Sequence, residues 1–144
     1  MGKSAIEGGM AEGIVALLFD VGLPERCVVL TLGEDGSYLE SMQRCVKGPV
    51  EYERALEFDG GPTLVVNKEG AIKDMVPNGS VHASKAMEEV GCRSILNGST
   101  GKEGDLHCVL RGPILAVGYD ADHQPRDITA LEMCIACRRI SRPK

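Results

Sequence analysis

Runs of aliphatic and β-branched residues, separated by turn-forming residues, predict a protein built largely from short β-strands. Five of these runs are apolar almost throughout, which is typical of strands buried inside a sheet. Because strands that follow each other in sequence tend to be neighbours, we expect the first two to pair as an antiparallel hairpin. The five runs are Ile14–Phe19, Cys27–Leu32, Thr63–Val66, Leu106–Leu110 and Pro113–Tyr119.

One further strand is predicted by alternation rather than by a continuous apolar run. Over Val50–Leu56, Glu51 and Glu53 alternate with more apolar positions such as Tyr52. Such a period of two is typical of a strand with one exposed face, and a charged face is common at the edge of a sheet. We therefore interpret the two glutamates as a solvated edge rather than as a catalytic carboxylate pair.

The stretch from Leu56 to Asn78 has the densest turn chemistry in the chain. Gly60, Gly61 and Pro62 favour a reversal before Thr63–Val66, since glycine adopts positive φ freely and proline fixes its own φ. A second turn at residues 67–70 predicts that Ala71–Met75 returns as a paired strand, which would make this hairpin the centre of the sheet. Residues 77–80, Pro-Asn-Gly-Ser, predict another turn.

Two helices are predicted in the first two-thirds of the chain. Ser37 followed by Glu40 has the spacing of a capping box, in which each side chain bonds the other's backbone N–H, and predicts a helix over Tyr38–Val46. Gly48 and a proline then end it. A shorter helix is predicted over Ser84–Val90, with its serine as the N-cap.

A third helix is predicted close to the end of the chain, over Ala130–Ile140. Thr129 and Glu132 have the capping-box spacing at its start. Its apolar positions predict that Leu131, Ile135 and Cys134 are buried.

Strands mixed with capped helices indicate the α+β class. We expect a mainly antiparallel sheet of about six strands with two or three helices on one face. Residues 1–12 are rich in glycine and glutamate and predict a flexible N-terminal lead. The 144 residues otherwise fit one domain, residues 13–144.

Charge and hydropathy exclude several classes of partner. The formal net charge is −5 and basic residues are scattered, which argues against non-specific nucleic-acid binding. No apolar run reaches the roughly 18 residues of a transmembrane helix. We expect a cytoplasmic protein, without a signal peptide, in which the six cysteines are reduced thiols. The sequence predicts no cofactor.

Cysteine and histidine provide only weak candidates for a metal or thiol site. Cys134 and Cys137 form a single CxxC, whereas structural zinc needs four ligands. The pair lies late in the predicted helix, where the helix dipole does not favour a thiolate. Further ligands for a metal site would have to be brought close by the fold, and the candidates are Cys92, Cys108 and His107.

The glycine-rich segment around Lys102 is similar to part of a phosphate-binding loop. Its spacing differs from that of a Walker motif, and Glu103 stands where that motif has serine or threonine. We expect residues 97–104 to form a mobile loop and not a nucleoside triphosphate site. The backbone amides of this loop are donors that suit an anionic ligand.

Several motifs follow one another in a particular order between Gly36 and Gly118. They are Tyr38–Gln43 with Val46 and Gly48, Leu64–Gly70, Pro77-Asn78 and Arg111–Gly118. Their order resembles a family of small proteins, carried by phages, prophages and plasmids, that is known only as a domain of unknown function. Lys68 and Pro113 replace the residues usual there. The resemblance implies a mobile-element setting and a compact α+β fold, and it brings no known activity.

These observations favour a non-enzymatic accessory protein of a phage or mobile element that binds a host factor. The host factor would be a host protein or a small nucleotide, such as a defence protein or its nucleotide signal. Turn asparagines and nearby cations are the predicted ligand-binding residues: Asn67, Asn78, Arg54, Arg111 and Lys102.

Two other functions stay open at this point. One is a small metal- or thiol-dependent enzyme that uses the cysteines. The other is a structural module that forms a homodimer or a higher homo-oligomer by pairing an exposed strand such as Val50–Leu56.

Overall fold

The computed structural model describes residues 13–92 and 101–143. No helix in this part of the chain is long and apolar enough to cross a membrane. The predicted lead over residues 1–12 and residues 97–100 of the glycine-rich loop lie outside the described residues. In chain order the elements are β1 (Ile14–Phe19), β2 (Arg26–Leu30), α1 (Leu39–Val46), β3 (Val50–Glu53), a 3-10 helix (Ala55–Asp59), β4 (Thr63–Asn67), β5 (Pro77–His82), α2 (Lys85–Glu89), β6 (Leu106–Arg111), β7 (Ile114–Tyr119), β8 (Pro125–Arg126), α3 (Ala130–Arg139) and β9 (Ile140–Ser141).

The larger of two sheets has the strand order β2-β1-β7-β4-β3, and its pairings are antiparallel. The short β8 pairs with the last residues of β7. β1 and β2 form the predicted hairpin, with Ile14 opposite Leu30. The predicted α+β class, with a mainly antiparallel sheet of about six strands, is confirmed.

β7 lies in the middle of this sheet, and its alternate residues face two different cores. Leu115 and Val117 pack with Met42 and Val46 of α1. Ile114 points the opposite way, into a second buried cluster. Because both faces are covered, β7 has the continuous apolar sequence of a fully buried strand.

The second sheet, with the order β6-β5-β9, covers the other face together with α2 and α3. Met87 of α2 and Ala136 of α3 belong to the same buried cluster as Leu64 and Ile114 of the larger sheet. The helices lie on both faces of the larger sheet: α2 and α3 share one face, within the predicted two or three helices, and α1 covers the other. The physical reason is that the central strands are apolar on both sides, and each side must be buried.

The prediction of a returning strand at Ala71–Met75 is wrong. The backbone there closes local turns: the N–H of Lys73 donates to the carbonyl of Glu69 at 2.9 Å, and that of Met75 to Gly70 at 2.8 Å. β4 pairs instead with β3 and β7. The central hairpin is therefore absent, and a strand from much later in the chain occupies the place beside β4.

The turn predicted at residues 77–80 is also wrong, because these residues begin β5. The register of the β5–β6 pairing shifts between Pro77 and Gly79. Proline and glycine are tolerated in a strand at such irregularities. A Cβ on Gly79 would lie 2.7 Å from Ile140 Cγ2 of β9. Glycine therefore serves close packing of two strands here, and not a reversal of the chain.

The two predicted capping boxes have opposite outcomes. At α1 the N-cap residue is Tyr38, without a side-chain capping bond, and the Ser37–Glu40 box is not formed. The Ser37 hydroxyl instead donates to the carboxylate of Asp35 at 3.0 Å. The Thr129–Glu132 box of α3 is confirmed.

Two other boundary predictions are partly right. Ile135 is buried as predicted, whereas Leu131 is 66% exposed. The strand predicted over Val50–Leu56 ends at Glu53, whose carboxylate accepts the Ala55 N–H at 2.8 Å. That bond helps to turn the chain out of the sheet and into the 3-10 helix.

Candidate functional site

A cleft of about 460 Å³ opens at one end of the larger sheet, where β3 ends, β4 begins and β7 ends. Antiparallel pairing places these three ends together, with Glu53 opposite Leu64 and Thr63 opposite Val117. We call it the tyrosine cleft. Its lining is Tyr52, Arg54, Glu57, Gly61, Thr63, Tyr119, Asp120 and His123.

A smaller cleft of about 280 Å³ adjoins it and shares Tyr52, Tyr119 and His123. Tyr38 and Met42, at the start of α1, complete one wall of this smaller cleft. The chain has three tyrosines in all, and every one of them lines these adjoining clefts. The sequence carries no signal that groups them, because they lie on three separate segments.

Tyr52 and Tyr119 form the aromatic centre of the tyrosine cleft. Burial raises the pKa of Tyr119 above its usual value, and the neighbouring Tyr52, which shares a side-chain hydrogen bond with it, adds to that effect. The Tyr119 hydroxyl therefore stays protonated at neutral pH and is a hydrogen-bond donor. The Tyr52 side chain is more open, since this residue is 44% exposed.

The charged groups that line the tyrosine cleft differ in whether they already form hydrogen bonds within the protein. The Glu57 carboxylate accepts the hydroxyl of Thr63 at 2.5 Å. The Asp120 carboxylate accepts the backbone N–H groups of Asp122 and Gln124 at 2.8 and 3.0 Å. The guanidinium of Arg54 makes no ion pair or hydrogen bond with any described residue, whereas the backbone carbonyl of Arg54 accepts the Glu57 N–H at 3.0 Å. Its guanidinium is therefore available to an anion that enters the cleft.

A second cleft, also of about 460 Å³, lies along β3 on the side of β6, and we call it the β3–β6 cleft. Glu51 and Glu53 contribute to one wall, and Arg111 at the end of β6 contributes to another. Asn67 lies in the lining as well. The structure thus brings together two of the predicted ligand-binding residues, Asn67 and Arg111, and places Arg54 in the tyrosine cleft.

Asn67 and Arg111 are both partly used by the fold. The Asn67 amide donates to the Val46 carbonyl at 3.1 Å and its oxygen accepts the Glu69 N–H at 2.8 Å. Arg111 donates to the Met75 carbonyl at 3.0 Å. Their role in binding a ligand stays a prediction.

The structure gives Asn78 a structural role in place of the predicted ligand contact. The residue is 1% exposed. Its amide donates to the carbonyls of Phe19 at 2.8 Å and Gly112 at 3.0 Å, and its oxygen accepts a hydrogen bond from Arg142 at 3.0 Å. Lys102 is exposed and lines neither the tyrosine cleft nor the β3–β6 cleft.

Glu53, which lines the β3–β6 cleft, lies close to two buried side chains that are not part of the lining, His107 and Cys108. The ligating atoms of the three side chains all lie within 4.8 Å of one another. Burial, followed by the nearby Glu53 carboxylate, raises the pKa of Cys108 to about 12. Its thiol is therefore protonated at neutral pH, which opposes a thiolate nucleophile at this position.

The remaining cysteine candidates are not part of this group. Cys134 and Cys137 are exposed on α3. Cys92 is half-buried after α2, and burial, with a smaller effect of Glu53, raises its pKa. Glu53 is the member that the sequence did not nominate as a ligand, although its alternation with Tyr52 placed it on the face opposite that tyrosine.

Residues that carry the family resemblance are packed against one another. The Asn67 amide binds the end of α1 at Val46, and a Cβ on Gly48 would lie 2.7 Å from that amide nitrogen. A Cβ on Gly70 would lie 3.3 Å from the Cβ of Arg111. These motif residues therefore hold α1, β4 and β6 in contact. No family model, curated protein or solved structure matches this chain, so the resemblance stays a prediction.

Proposed function

We propose that the protein is a non-enzymatic binding protein whose tyrosine cleft takes a small anionic molecule with a planar ring, which is the chemistry of a nucleotide. The observation that carries the proposal is the convergence of the three tyrosines with Arg54 on adjoining clefts. The volume of the main cleft lies in the range of roughly 300–1,000 Å³ typical of small-molecule sites.

Each part of a nucleotide has a chemical counterpart in the lining. Aromatic faces stack on bases, and such stacking contributes about 1–3 kcal/mol per base. The guanidinium of Arg54 offers the paired N–H donors that suit a phosphate. Glu57 and Asp120 are carboxylates of the kind that accept hydrogen bonds from ribose hydroxyls. A simple anion such as phosphate would use only one of these features.

The family resemblance adds a biological setting to the proposal. In that setting the protein is an accessory factor of a phage or mobile element that acts in the host cytoplasm. Its ligand is then a host molecule, and a nucleotide signal of a defence system has the chemistry that the tyrosine cleft favours. A protein that masks such a signal needs to bind it and has no need to alter it.

Calorimetry with the full chain tests the ligand class directly. The titrants are nucleoside monophosphates, cyclic mono- and dinucleotides, the matching nucleosides and inorganic phosphate. We expect binding of at least one nucleotide and weaker binding of its nucleoside. Arg54→Ala should weaken nucleotide binding by about ten- to a hundred-fold, the range of a hydrogen bond to a charged group.

Arg44→Ala is the matched control, because Arg44 is an exposed arginine on α1 with a 3.6 Å ion pair to Glu40. Its removal should leave nucleotide affinity unchanged. A panel in which nothing binds, or equal binding by the Arg54 and Arg44 variants, would refute the nucleotide site. Mass spectrometry of small molecules and proteins retained from host lysate then identifies the natural ligand or shows that none is retained.

β3 lies at the end of the strand order, so the predicted edge strand is an edge in the structure. We keep homo-oligomer formation through this edge as a separate proposal, because a second copy pairing along β3 would also cover Tyr52. Light scattering of the purified chain decides it: a monomer at working concentration excludes the oligomerising module.

A further inference from the structure

The cluster of Glu53, His107 and Cys108 brings three different kinds of metal-binding side chain together. A carboxylate, an imidazole and a thiol are three side chains that commonly bind zinc. They come from two segments more than fifty positions apart in the sequence, the end of β3 and the middle of β6. Their ligating atoms nevertheless gather within 4.8 Å of one another.

The distance between Glu53 and His107 suits a shared metal ion better than a direct bond. The carboxylate oxygen Oε2 lies 3.6 Å from the imidazole Nε2, which is longer than a side-chain hydrogen bond. Two tetrahedral ligands of one zinc ion, each about 2.0–2.1 Å from the metal, lie roughly 3.3 Å apart. Only a small closing movement separates the observed pair from that geometry.

We propose that Glu53, His107 and Cys108 form a binding site for a zinc-class divalent transition metal ion, with an open coordination position toward the β3–β6 cleft. Three protein ligands and one open position are typical of zinc sites that bind an exogenous ligand. This inference goes beyond the proposed nucleotide binding and does not depend on it.

Burial and charge both support this assignment. The side chains of His107 and Glu53 are only 5% and 16% exposed, so their positions are restrained by packing. Metal binding would displace the Cys108 proton to solvent, and the resulting thiolate together with the Glu53 carboxylate neutralises the divalent cation, so the occupied buried site carries no net charge. Glu53 also accepts the Ala55 N–H at 2.8 Å, which orients its carboxylate. Of the three ligands, Glu53 lines the β3–β6 cleft, and this places one side of the site next to solvent.

Exposed thiols also add a signal to a cobalt titration, so the test uses the full chain carrying Cys134→Ser and Cys137→Ser. Cobalt(II) is titrated into this background and its absorption spectrum is recorded. We expect one bound cobalt per chain, tetrahedral d–d bands and a thiolate charge-transfer band. Adding Cys108→Ser should abolish the charge-transfer band. Glu53→Gln should weaken cobalt binding at least tenfold, since loss of an outer-shell partner alone costs about 10–100-fold.

Cys45→Ser in the same background is the matched thiol control. Cys45 is half-buried on α1, on the opposite side of the larger sheet, and its removal should leave the spectrum unchanged. A band that survives Cys108→Ser, a band lost in Cys45→Ser, or failure of the background protein to bind cobalt would overturn the site. Circular dichroism shows whether each variant is folded. If Cys108→Ser unfolds, Glu53→Gln and His107→Gln decide the outcome through cobalt affinity.

Discussion

Replacing Asn78 by alanine should destabilise the protein strongly, because its side chain joins four parts of the fold. From β5 the amide reaches the carbonyl of Phe19 in β1 and that of Gly112 before β7, and it accepts a hydrogen bond from Arg142 after β9. Each of these bonds contributes about 1 kcal/mol net, and a buried group left without a partner costs about 1–3 kcal/mol. Loss of three such bonds therefore predicts a decrease of about 3 kcal/mol in the free energy of unfolding.

That loss is large against the roughly 5–15 kcal/mol by which a domain is stable. Urea unfolding followed by circular dichroism measures it. With a slope of about 2 kcal/mol per molar urea, the midpoint should fall by roughly 1.5 M. Gln124→Ala is a suitable control, since this exposed amide makes one long bond of 3.4 Å to Asp122. It should change stability by less than about 0.5 kcal/mol.

A double-mutant cycle with Arg142→Ala separates the hydrogen bond between the two side chains from the rest. The guanidinium of Arg142 also binds the carbonyls of Asp20 at 2.7 Å and Leu23 at 3.1 Å, and it lies over the ring of Phe19. We expect a coupling free energy of about 1 kcal/mol with Asn78, as is common for side chains in one network. A loss below about 1 kcal/mol for Asn78→Ala alone, or a loss equal to that of Gln124→Ala, would refute the structural role.

Three further outcomes follow from the described contacts. Glu132 is held by Arg126 at 2.8 and 3.0 Å, and although burial raises its pKa, these bonds and the capping bonds lower it overall. Because its pKa is lower in the folded state, its stabilising effect is present above the ordinary glutamate value of 4.5 and is lost as pH falls below it. The stability difference between wild type and Glu132→Gln, measured by unfolding at a series of pH values, should therefore shrink as the pH is lowered from neutral into the acid range. Gly118→Ala should be less stable than wild type in thermal unfolding, since its Cβ would lie 3.0 Å from the Asp127 carbonyl and meet the Arg126 guanidinium, and an unchanged midpoint would contradict this packing. In thiol labelling followed by mass spectrometry, the exposed Cys134 should react at once, whereas the buried Cys108 should react only as the protein opens.

Local patterns predicted the elements that are governed by local physics. The strands at Ile14–Phe19 and Thr63–Val66 are present because long aliphatic runs have to be buried. The Thr129–Glu132 box formed because all of its hydrogen-bonding groups lie within one helical turn. Ser37 has the same spacing, but the box does not form: its hydroxyl donates to the carboxylate of Asp35 and accepts the N–H of Leu39 at 3.3 Å, two residues on rather than three.

Predictions that needed a partner from elsewhere in the chain were less successful. The hairpin after β4 is absent because β7 competes for the same edge and buries more apolar surface than the polar segment Ala71–Met75. Asn78 looked like a turn residue, since nothing in its neighbourhood shows that the carbonyl of Phe19 will lie 2.8 Å from its amide. Arg54 was selected as a cation near a strand, and the structure places it in the tyrosine cleft.

By itself, the sequence determined that β3 is an edge strand with two chemically different faces, because a period of two separates Tyr52 from Glu53 whatever lies beside them. Only the tertiary structure decided what each face meets: Tyr119 on one side, and His107 with Cys108 on the other. Backbone hydrogen bonds between strands are the same for every sequence, so the pairing of distant strands depends on how the whole core packs. Both candidate sites therefore depend on two things: the packing of the whole core, which selects the neighbours of β3, and the alternation of side chains along β3 itself.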